Sequence, residues 1–365
     1  MRAIRLALAG LGLSVAMTAT SQGISVQLGD AGHQSVQKMG QGKLVFRLEN
    51  RGADSMHVLS WATPLDETAG NIFHVEKDGV AVRYIGNYYK RLAPEAEDYF
   101  ELQPGEARQI EVDLRKSYDL SEGGNYTVAF APRGGEMLLE ARQVEASGAK
   151  IGRAIENEAT TIWVNPTDAE QSALALRPNY GPRSEIQSES VLAAAGSNSY
   201  VKCTASQQSA MPAARDAAVA YAQDGQAYLA ANKTGDRFTW WFGPVTTSHY
   251  SLMTTHFNNL VSALSTQPYT FDCGCKQKRT YAYVNPSNAY YVTLCGAFWS
   301  APNTGTDSRG GTLVHESSHF TVIAGTDDYA YGQTAAHSLS LSNSDEAVMN
   351  ADSHEYFGEN SPVRN

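Results

Sequence analysis

The sequence predicts an all-β domain followed by an α+β domain that is mostly helical and carries a small antiparallel sheet. The chain has 365 residues, 42% of them hydrophobic and 18% charged, which suits two domains with ordinary cores better than one. Short strand-like segments fill residues 24–161. Longer segments with helical spacing dominate the C-terminal half of the chain.

Residues 1–21 have the pattern of a secretory signal peptide. Arg2 and Arg5 precede an apolar run at residues 6–17, and the small residues that follow place the expected cleavage after Ser21. The apolar run is shorter than the roughly 18 residues that a membrane-spanning helix needs. We therefore expect a secreted, extracellular protein without a membrane segment.

The predicted domain at residues 22–176 has the pattern of a β-sandwich. Its apolar or alternating segments run over residues 43–48, 73–75, 80–85 and 126–130. Turn signals such as Gln103-Pro104-Gly105 separate them. Several short strands at this spacing favour a sandwich of the immunoglobulin-like kind. No catalytic constellation stands out in this domain, and its notable feature is the aromatic and basic patch Tyr88-Tyr89-Lys90-Arg91.

Residues 177–198 are predicted to be a linker that contains a processing site, because proline, glycine and small polar residues punctuate them. The domain predicted at residues 199–365 opens with helical patterns at residues 206–231 and 248–264. Short strands are predicted at residues 269–273, 279–284 and 290–294. One such strand at the rim of a cleft could bind an extended peptide by edge pairing.

A candidate metal site begins at His315, where the sequence reads H-E-S-S-H. His315 and His319 are four residues apart, so a helix predicted at residues 308–324 places both imidazoles on one face, where they can share a zinc ion. Glu316 lies beside the metal and can act as a general base toward water that the metal activates. Two histidines leave a tetrahedral zinc one protein ligand short.

The residues after the motif narrow the choice of the third ligand. A metzincin would require Gly at position 322 and His at position 325, which hold Val322 and Gly325, so that class is excluded. A gluzincin would use a later glutamate, and the next ones are Glu346 and Glu355.

An aspartate lies nearer to the motif than these glutamates. Gly325 can end the helix in a left-handed conformation and turn the chain back toward the metal. We predict Asp328 as the third ligand, and a solvent-facing role for its neighbour Asp327.

The combined pattern, H-E-x-x-H followed by G-T-x-D-x-x-Y-G, resembles the signature of the aspzincin metallopeptidases. This deuterolysin-like family has a zincin-like catalytic domain and includes the peptidyl-Lys metalloendopeptidases. The resemblance implies that His315, His319 and Asp328 hold one zinc ion per catalytic domain. It also implies that Glu316 is the general base and that the phenol of Tyr331 donates a hydrogen bond to the oxyanion.

The resemblance extends over much of residues 199–365, and the segments at residues 240–243, 294–299 and 350–357 look like the peptidyl-Lys branch. All four cysteines lie in this part of the chain, and an even number in an exported protein favours disulfides over a zinc-binding cluster. The sequence permits three pairings. The resemblance favours Cys203 with Cys273 and Cys275 with Cys295.

A substrate pocket is predicted at Asp352 and Glu355. They are three residues apart in a predicted helix and so share a face, where two carboxylates would attract an ammonium group and repel acidic side chains. The resemblance implies a pocket for a lysine on the C-terminal side of the cut bond, with Tyr281 packing on the lysine stem. A solvated acidic helix face is the alternative.

The sequence thus predicts a zinc-dependent endopeptidase that acts on proteins or peptides, is made as an inactive precursor and is a monomer. The net charge of -10 and the scattered basic residues argue against a nucleic-acid partner. The alternative function is that of a catalytically dead, peptidase-like binding protein or adhesin.

The N-terminal domain is predicted to be a propeptide that aids folding and covers the active site, and the alternative is a binding module for carbohydrate or protein. No cysteine precedes Cys203, so a thiolate of this domain cannot block zinc. Inhibition would instead be steric, or would use a carboxylate, a carbonyl or a lysine inserted in the cleft.

Overall fold

The computed structural model describes residues 23–33, 39–133, 138–140, 156–165 and 196–365. These residues form a β-rich N-terminal domain and a mostly helical C-terminal domain, as predicted. The predicted signal peptide and residues 177–195 of the predicted linker lie outside the described residues. Among the residues that the structure describes, no helix is long and apolar enough to span a membrane.

The described part of the N-terminal domain contains twelve strands. They are β1 Ile24–Asp30, β2 Lys43–Asn50, β3 Met56–Leu59, β4 Phe73–Lys77, β5 Val80–Ala81, β6 Tyr88–Arg91, β7 Tyr99–Leu102, β8 Ala107–Asp113, β9 Gly124–Phe130, β10 Leu138–Glu140, β11 Glu156–Asn157 and β12 Thr160–Val164. Three sheets have the strand orders β11-β1-β2-β8, β10-β3-β7 and β12-β9-β4-β5. The all-β class is therefore confirmed, and the immunoglobulin-like arrangement stays a prediction.

Alternating burial along the strands builds the core of this domain. In β2, Leu44, Phe46 and Leu48 are fully buried, while the charged side chains of the strand stay partly accessible. Phe46 packs against Phe73 and Phe130 with ring centroids 6.3 and 5.1 Å away.

One strand is shorter than predicted. Residues 80–85 read as a single strand in the sequence, but β5 ends at Ala81. By Ile85 the backbone N–H donates to the carbonyl of Ser117, so the chain has already left the edge of β4. This departure carries it toward the other domain, where β6 lies.

Eight helices occur in the described C-terminal domain. They are α1 Ala205–Ala230, α2 Asp236–Phe242, α3 Thr247–Thr266, α4 Gly296–Ser300, α5 Arg309–His319, α6 Gly332–Ser342, α7 Ser344–Ala347 and α8 Ala351–Glu359. The first one starts where Thr204 and Gln207 form a reciprocal capping box, which explains the good agreement with the predicted start.

The sheet of the C-terminal domain is mixed. Its strands are β13 Asn198–Val201, β14 Tyr269–Asp272, β15 Thr280–Val284 and β16 Tyr291–Leu294, and the order is β13-β14-β16-β15-β6. The pairs β15–β16 and β15–β6 are antiparallel, as predicted for this sheet, whereas β13–β14 and β14–β16 are parallel. One of its two edge strands, β6, comes from the N-terminal domain.

Two disulfides link the segments that flank the strands of this sheet. Cys203 pairs with Cys273 and Cys275 pairs with Cys295, with a Cα–Cα distance of 4.8 Å in each case. These are the pairings that the resemblance implies. Because all four cysteines are oxidised, a zinc cluster of cysteines is excluded.

Helix α5 lies at the centre of the C-terminal domain. Every residue from Gly310 to its end is buried. A Cβ atom at Gly310 would lie 2.7 Å from the Cβ of Ala217, so glycine permits the close packing of α5 on α1. The helix ends at His319, five residues before the predicted end, because Phe320 adopts an extended backbone and starts a tight series of turns.

Candidate active site

The start of α5 is fixed by polar contacts in the core. Ser308 caps the helix by accepting a hydrogen bond from the N–H of Gly311, and its own N–H and hydroxyl donate to Glu359. With the helix start fixed, His315 and His319 lie one turn apart on the same face. Their Nε2 atoms are 3.2 Å apart.

The loop after α5 brings a carboxylate to these two histidines. Gly325 has a φ of 62°, which favours glycine, and the N–H of Thr326 donates to the carbonyl of Ser318. Asp328 follows, and its Oδ1 atom lies 3.3 Å from Nε2 of His315 and 3.4 Å from Nε2 of His319.

The three atoms fit a tetrahedral zinc ion. Zn–N and Zn–O bonds of about 2.0–2.1 Å place neighbouring ligands about 3.3 Å apart at the tetrahedral angle, close to the separations of 3.2, 3.3 and 3.4 Å observed here. The carboxylate oxygens of Asp328 are also buried without a hydrogen-bond partner in the protein. A cation is the partner that such a cluster requires.

Neighbouring groups orient both imidazoles. His319 Nδ1 lies 3.0 Å from the carbonyl oxygen of Thr326 and donates to it, which leaves Nε2 as the atom with a free lone pair. On the other ligand, Nδ1 of His315 lies 2.7 Å from Oδ1 of Asp352. Such carboxylate and carbonyl partners fix the rings of metal-binding histidines.

Glu316 is buried beside this cluster, and neither of its carboxylate oxygens has a hydrogen-bond partner in the protein. Burial raises the pKa of Glu316 to about 7, although the two neighbouring histidines act in the opposite direction. A carboxylate with this environment is suited to accept and return a proton near neutral pH.

Tyr331 lies near Asp328. Burial raises the pKa of its phenol well above the ordinary value, and the carboxylate of Asp328 raises it further, so the phenol keeps its proton and can donate it in a hydrogen bond.

Asp327 was predicted to face solvent, and the structure contradicts this prediction. The Oδ2 atom of Asp327 accepts a hydrogen bond of 2.8 Å from Asn71 and forms an ion pair with Arg133. Both partners belong to the N-terminal domain.

The predicted substrate pocket is a buried acidic pocket. Asp352 and Glu355 are 1% and 0% exposed, which contradicts the alternative of a solvated acidic helix face. The ammonium of Lys90 fills the pocket, with Nζ 2.7 Å from Glu355 Oε2 and 3.4 Å from Asp352 Oδ1. The ring of Tyr281 lies 5.1 Å from the same Nζ, which is a cation–π distance.

Three groups at this pocket were not predicted to be part of the site. Asp307 Oδ1 lies 3.2 Å from Lys90 Nζ, and the ring of Tyr356 lies 5.6 Å from it. The third group is Lys90 itself. Burial would lower the pKa of Lys90, but Asp352 and the other pocket acids outweigh burial and raise it well above the ordinary value.

The charge of Asp352 follows from the same contacts. Burial alone would raise the pKa of Asp352, but Lys90 and His315 lower it to about 2. The carboxylate is therefore ionised and joins the pocket to a metal-ligand candidate. His315, Asp352 and Glu355 form a second cluster with metal-ligand spacing, and the ammonium of Lys90 is the cation found there.

Much of this chain is similar in sequence to known proteins. The family described as "Lysine-specific metallo-endopeptidase" matches residues 227–359. An "Extracellular protease" of Aeromonas hydrophila is 39% identical over 319 residues, which cover 87% of this chain and 88% of that protein. A "Peptidyl-Lys metalloendopeptidase" of Armillaria mellea is 34% identical over 370 residues, which cover 99% of this chain and 98% of that protein.

A second "Peptidyl-Lys metalloendopeptidase", from Pleurotus ostreatus, is 53% identical over 165 residues. That similarity covers 45% of this chain and 98% of the Pleurotus protein. The similarities to the Aeromonas and Armillaria proteins therefore extend far beyond the metal-binding motif.

Proposed function

Because this chain belongs to the aspzincin family of zinc metalloendopeptidases, we propose that it cuts proteins on the N-terminal side of lysine residues and is secreted as an inactive precursor. The observation that carries the catalytic part is the convergence of His315, His319 and Asp328, with 3.2–3.4 Å between their ligand atoms. These residues would hold one zinc ion per catalytic domain.

Zinc bound there would polarise the carbonyl of the scissile peptide and make a bound water more acidic. Glu316 takes a proton from the attacking water, whose oxygen forms a bond to the carbonyl carbon. Tyr331 donates a hydrogen bond to the oxygen that becomes negative. Glu316 then passes the proton to the departing nitrogen as the C–N bond breaks, so no covalent bond to the enzyme is needed.

The preference for lysine is supported by the acidic pocket. Asp352 and Glu355 are buried, so a side chain without positive charge would leave their charges unpaired on binding. An ammonium on a four-carbon stem satisfies both carboxylates, as the contacts of Lys90 illustrate. The Armillaria and Pleurotus relatives are both named peptidyl-Lys metalloendopeptidases, which agrees with this preference.

Secretion is supported by three observations. The Aeromonas relative is named an extracellular protease, two disulfides tie the C-terminal domain, and residues 1–21 have a signal-peptide pattern. Synthesis as a precursor is supported by the ion pair between Arg133 and Asp327, which ties the N-terminal domain to the loop that carries Asp328.

The experiment is cleavage mapping with the wild-type protein and its Glu316→Gln variant, both processed by the same added protease. We expect the zinc-loaded wild type to cut a denatured protein before lysines, a chelator to abolish cutting and added zinc to restore it. Glu316→Gln should bind zinc as the wild type does, yet lose cutting by at least about a hundredfold. A zinc-loaded wild type that binds proteins without cutting them would instead favour the peptidase-like binding protein.

A further inference from the structure

Strand β6, residues Tyr88–Arg91, belongs to the N-terminal domain in sequence but not in hydrogen bonding. It pairs with none of the three sheets of its own domain in the residues described, and it extends the sheet of the catalytic domain at β15. The pairing is antiparallel and places Lys90 opposite Ala282 and Tyr88 opposite Val284. An extended peptide that binds a sheet edge makes this kind of pairing.

We propose that β6 is a built-in substrate mimic that inhibits the precursor by placing Lys90 in the pocket meant for the lysine of a substrate. This inference rests on the proposed lysine preference and adds the means by which the precursor is silenced. Of the mechanisms left open by the sequence, it selects the lysine inserted in the cleft.

The side chains of β6 divide between its two faces, as in any strand. Tyr88 and Lys90 face the catalytic domain, and Lys90 is 1% exposed. On the other face, the guanidinium of Arg91 lies over the rings of Tyr89 and Trp61 at 4.7 and 4.9 Å. Both faces also contact the opposite side: Tyr88 lies 5.0 Å from the ring of Tyr84 in its own domain, and Tyr89 lies 5.0 Å from the ring of Tyr283 in the catalytic domain. The strand is thus held between the two domains, with Tyr88 and Lys90 at the active site.

Lys90 makes the contacts expected of a bound substrate side chain. Its ammonium contacts carboxylates of Glu355, Asp307 and Asp352 at 2.7, 3.2 and 3.4 Å. A buried lysine is costly unless acidic partners surround it, and here all three partners belong to the other domain. A second lysine side chain could not enter while this one remains.

Tyr88 covers the metal site from the same strand. Its ring stacks on His319 with centroids 4.4 Å apart and planes inclined by 10°. The cavity that reaches Asp328 and Tyr331 has a volume of about 30 Å³, which admits a water or two but no peptide. The occupied pocket and the covered histidine therefore block the same cleft.

Both ends of the strand are anchored to the catalytic domain. Before it, the carbonyl of Ile85 accepts a hydrogen bond of 2.8 Å from Asn285. After it, the N–H of Leu92 donates to the carbonyl of Arg279, whose guanidinium pairs with Asp98 at 3.0 Å. Because both flanks are tethered, the strand cannot diffuse away as a short peptide would.

The test uses the full chain with Glu316→Gln, a change that prevents any self-cleavage during the measurement. The probe is a fluorescent peptide with one central lysine. The parent precursor should bind the probe weakly. Lys90→Ala and Lys90→Met should each increase its affinity at least tenfold, with little gain for a peptide that has norleucine in place of lysine. Lys77→Ala is the matched control, since Lys77 pairs with Glu122 inside the N-terminal domain.

Equal probe affinity of the parent and the Lys90 variants, all with cooperative thermal melts, would overturn the proposal. A second measurement needs no Lys90 variant: brief acetylation of the precursor should modify Lys77 at least ten times faster than Lys90. Equal rates would also overturn it. The processed wild type is assayed in parallel for cutting before lysine, so a wrong substrate preference is recognised separately from a wrong account of inhibition.

Discussion

Replacing Glu355 by glutamine is the sharpest test of the lysine pocket. The change keeps the size of the side chain and removes one negative charge from a fully buried position. Glu355 makes the shortest of the three carboxylate contacts to the ammonium of Lys90, 2.7 Å, and we expect it to contact the ammonium of a substrate lysine in the same way. Asp352 and Asp307 remain to hold part of the charge.

The magnitude follows from the value of a charged hydrogen bond. Such a bond contributes about 1.5–3 kcal/mol, which corresponds to a loss of about 10- to 150-fold in kcat/KM at roughly 1.4 kcal/mol per tenfold. We expect the lower part of this range, because the glutamine carbonyl can still accept a hydrogen bond from the ammonium.

The assay compares two peptides that differ only at the residue after the cut, lysine in one and norleucine in the other. The variant should lose activity on the lysine peptide and keep its activity on the norleucine peptide. Zinc content is measured in parallel, because Glu355 Oε2 lies 3.5 Å from Nδ1 of His315. Asp345→Asn, at an exposed carboxylate, is the control. An unchanged ratio between the two peptides at full zinc content would refute the pocket assignment.

Four further outcomes are expected. Asp328→Ala should lower zinc affinity by orders of magnitude, measured by competition with a chromophoric chelator, and unchanged affinity would move the third ligand elsewhere. Tyr331→Phe should lower kcat by about 10²–10³ at full zinc content, whereas the control Tyr329→Phe should not; equal losses would contradict the oxyanion role. Asp352→Asn should lower both zinc affinity, by about 10- to 100-fold, and the preference for lysine, and an effect on only one of them would separate the two roles. Burial lowers the pKa of His256 to about 4 and that of its hydrogen-bond partner His354 to about 3, so the unfolded chain binds more protons and the free energy of unfolding should fall by at least about 2 kcal/mol from pH 7 to pH 5; urea unfolding should show a smaller fall for His256→Gln, and an equal fall would refute the assignment.

The clustering of the candidate metal ligands could be predicted because their proximity is encoded locally. His315 and His319 share a helix face at a spacing of four residues, and Asp328 follows in the next loop after a glycine with a φ of 62°. Asp352 and Glu355 likewise share a face of the short helix α8. Local periodicity and turn chemistry were sufficient to predict which of these five residues lie together, and their roles as zinc ligands and as a lysine pocket stay proposals.

The occupant of the lysine pocket could not be predicted in this way. Lys90 and Asp352 are 262 residues apart and come from different domains. In the sequence, Tyr88-Tyr89-Lys90-Arg91 stands out as an aromatic and basic patch, but such a patch on a strand is equally compatible with an exposed surface. Its burial depends on acidic partners that only the packing of the two domains supplies.

The end of the motif helix was also mispredicted for a physical reason. Helical pattern continues in the sequence up to Ala324, yet the chain leaves the helix at Phe320, a buried residue with extended backbone. Ending the helix early allows Thr326 to reach back to Ser318 and to the ring of His319. The tertiary requirement that the loop meet the histidines therefore overrides local helix propensity.

Asp352 connects the candidate zinc site to the acidic pocket. One carboxylate oxygen lies 2.7 Å from Nδ1 of His315 and 3.4 Å from the ammonium of Lys90, and the other accepts a hydrogen bond of 2.6 Å from Gly332, the residue after Tyr331. A cation entering the pocket therefore changes the field at a carboxylate that also orients a candidate zinc ligand and the loop of the candidate oxyanion donor. Substrates without that cation should bind to a site whose catalytic groups are held less well, so lysine recognition should appear in kcat as well as in KM.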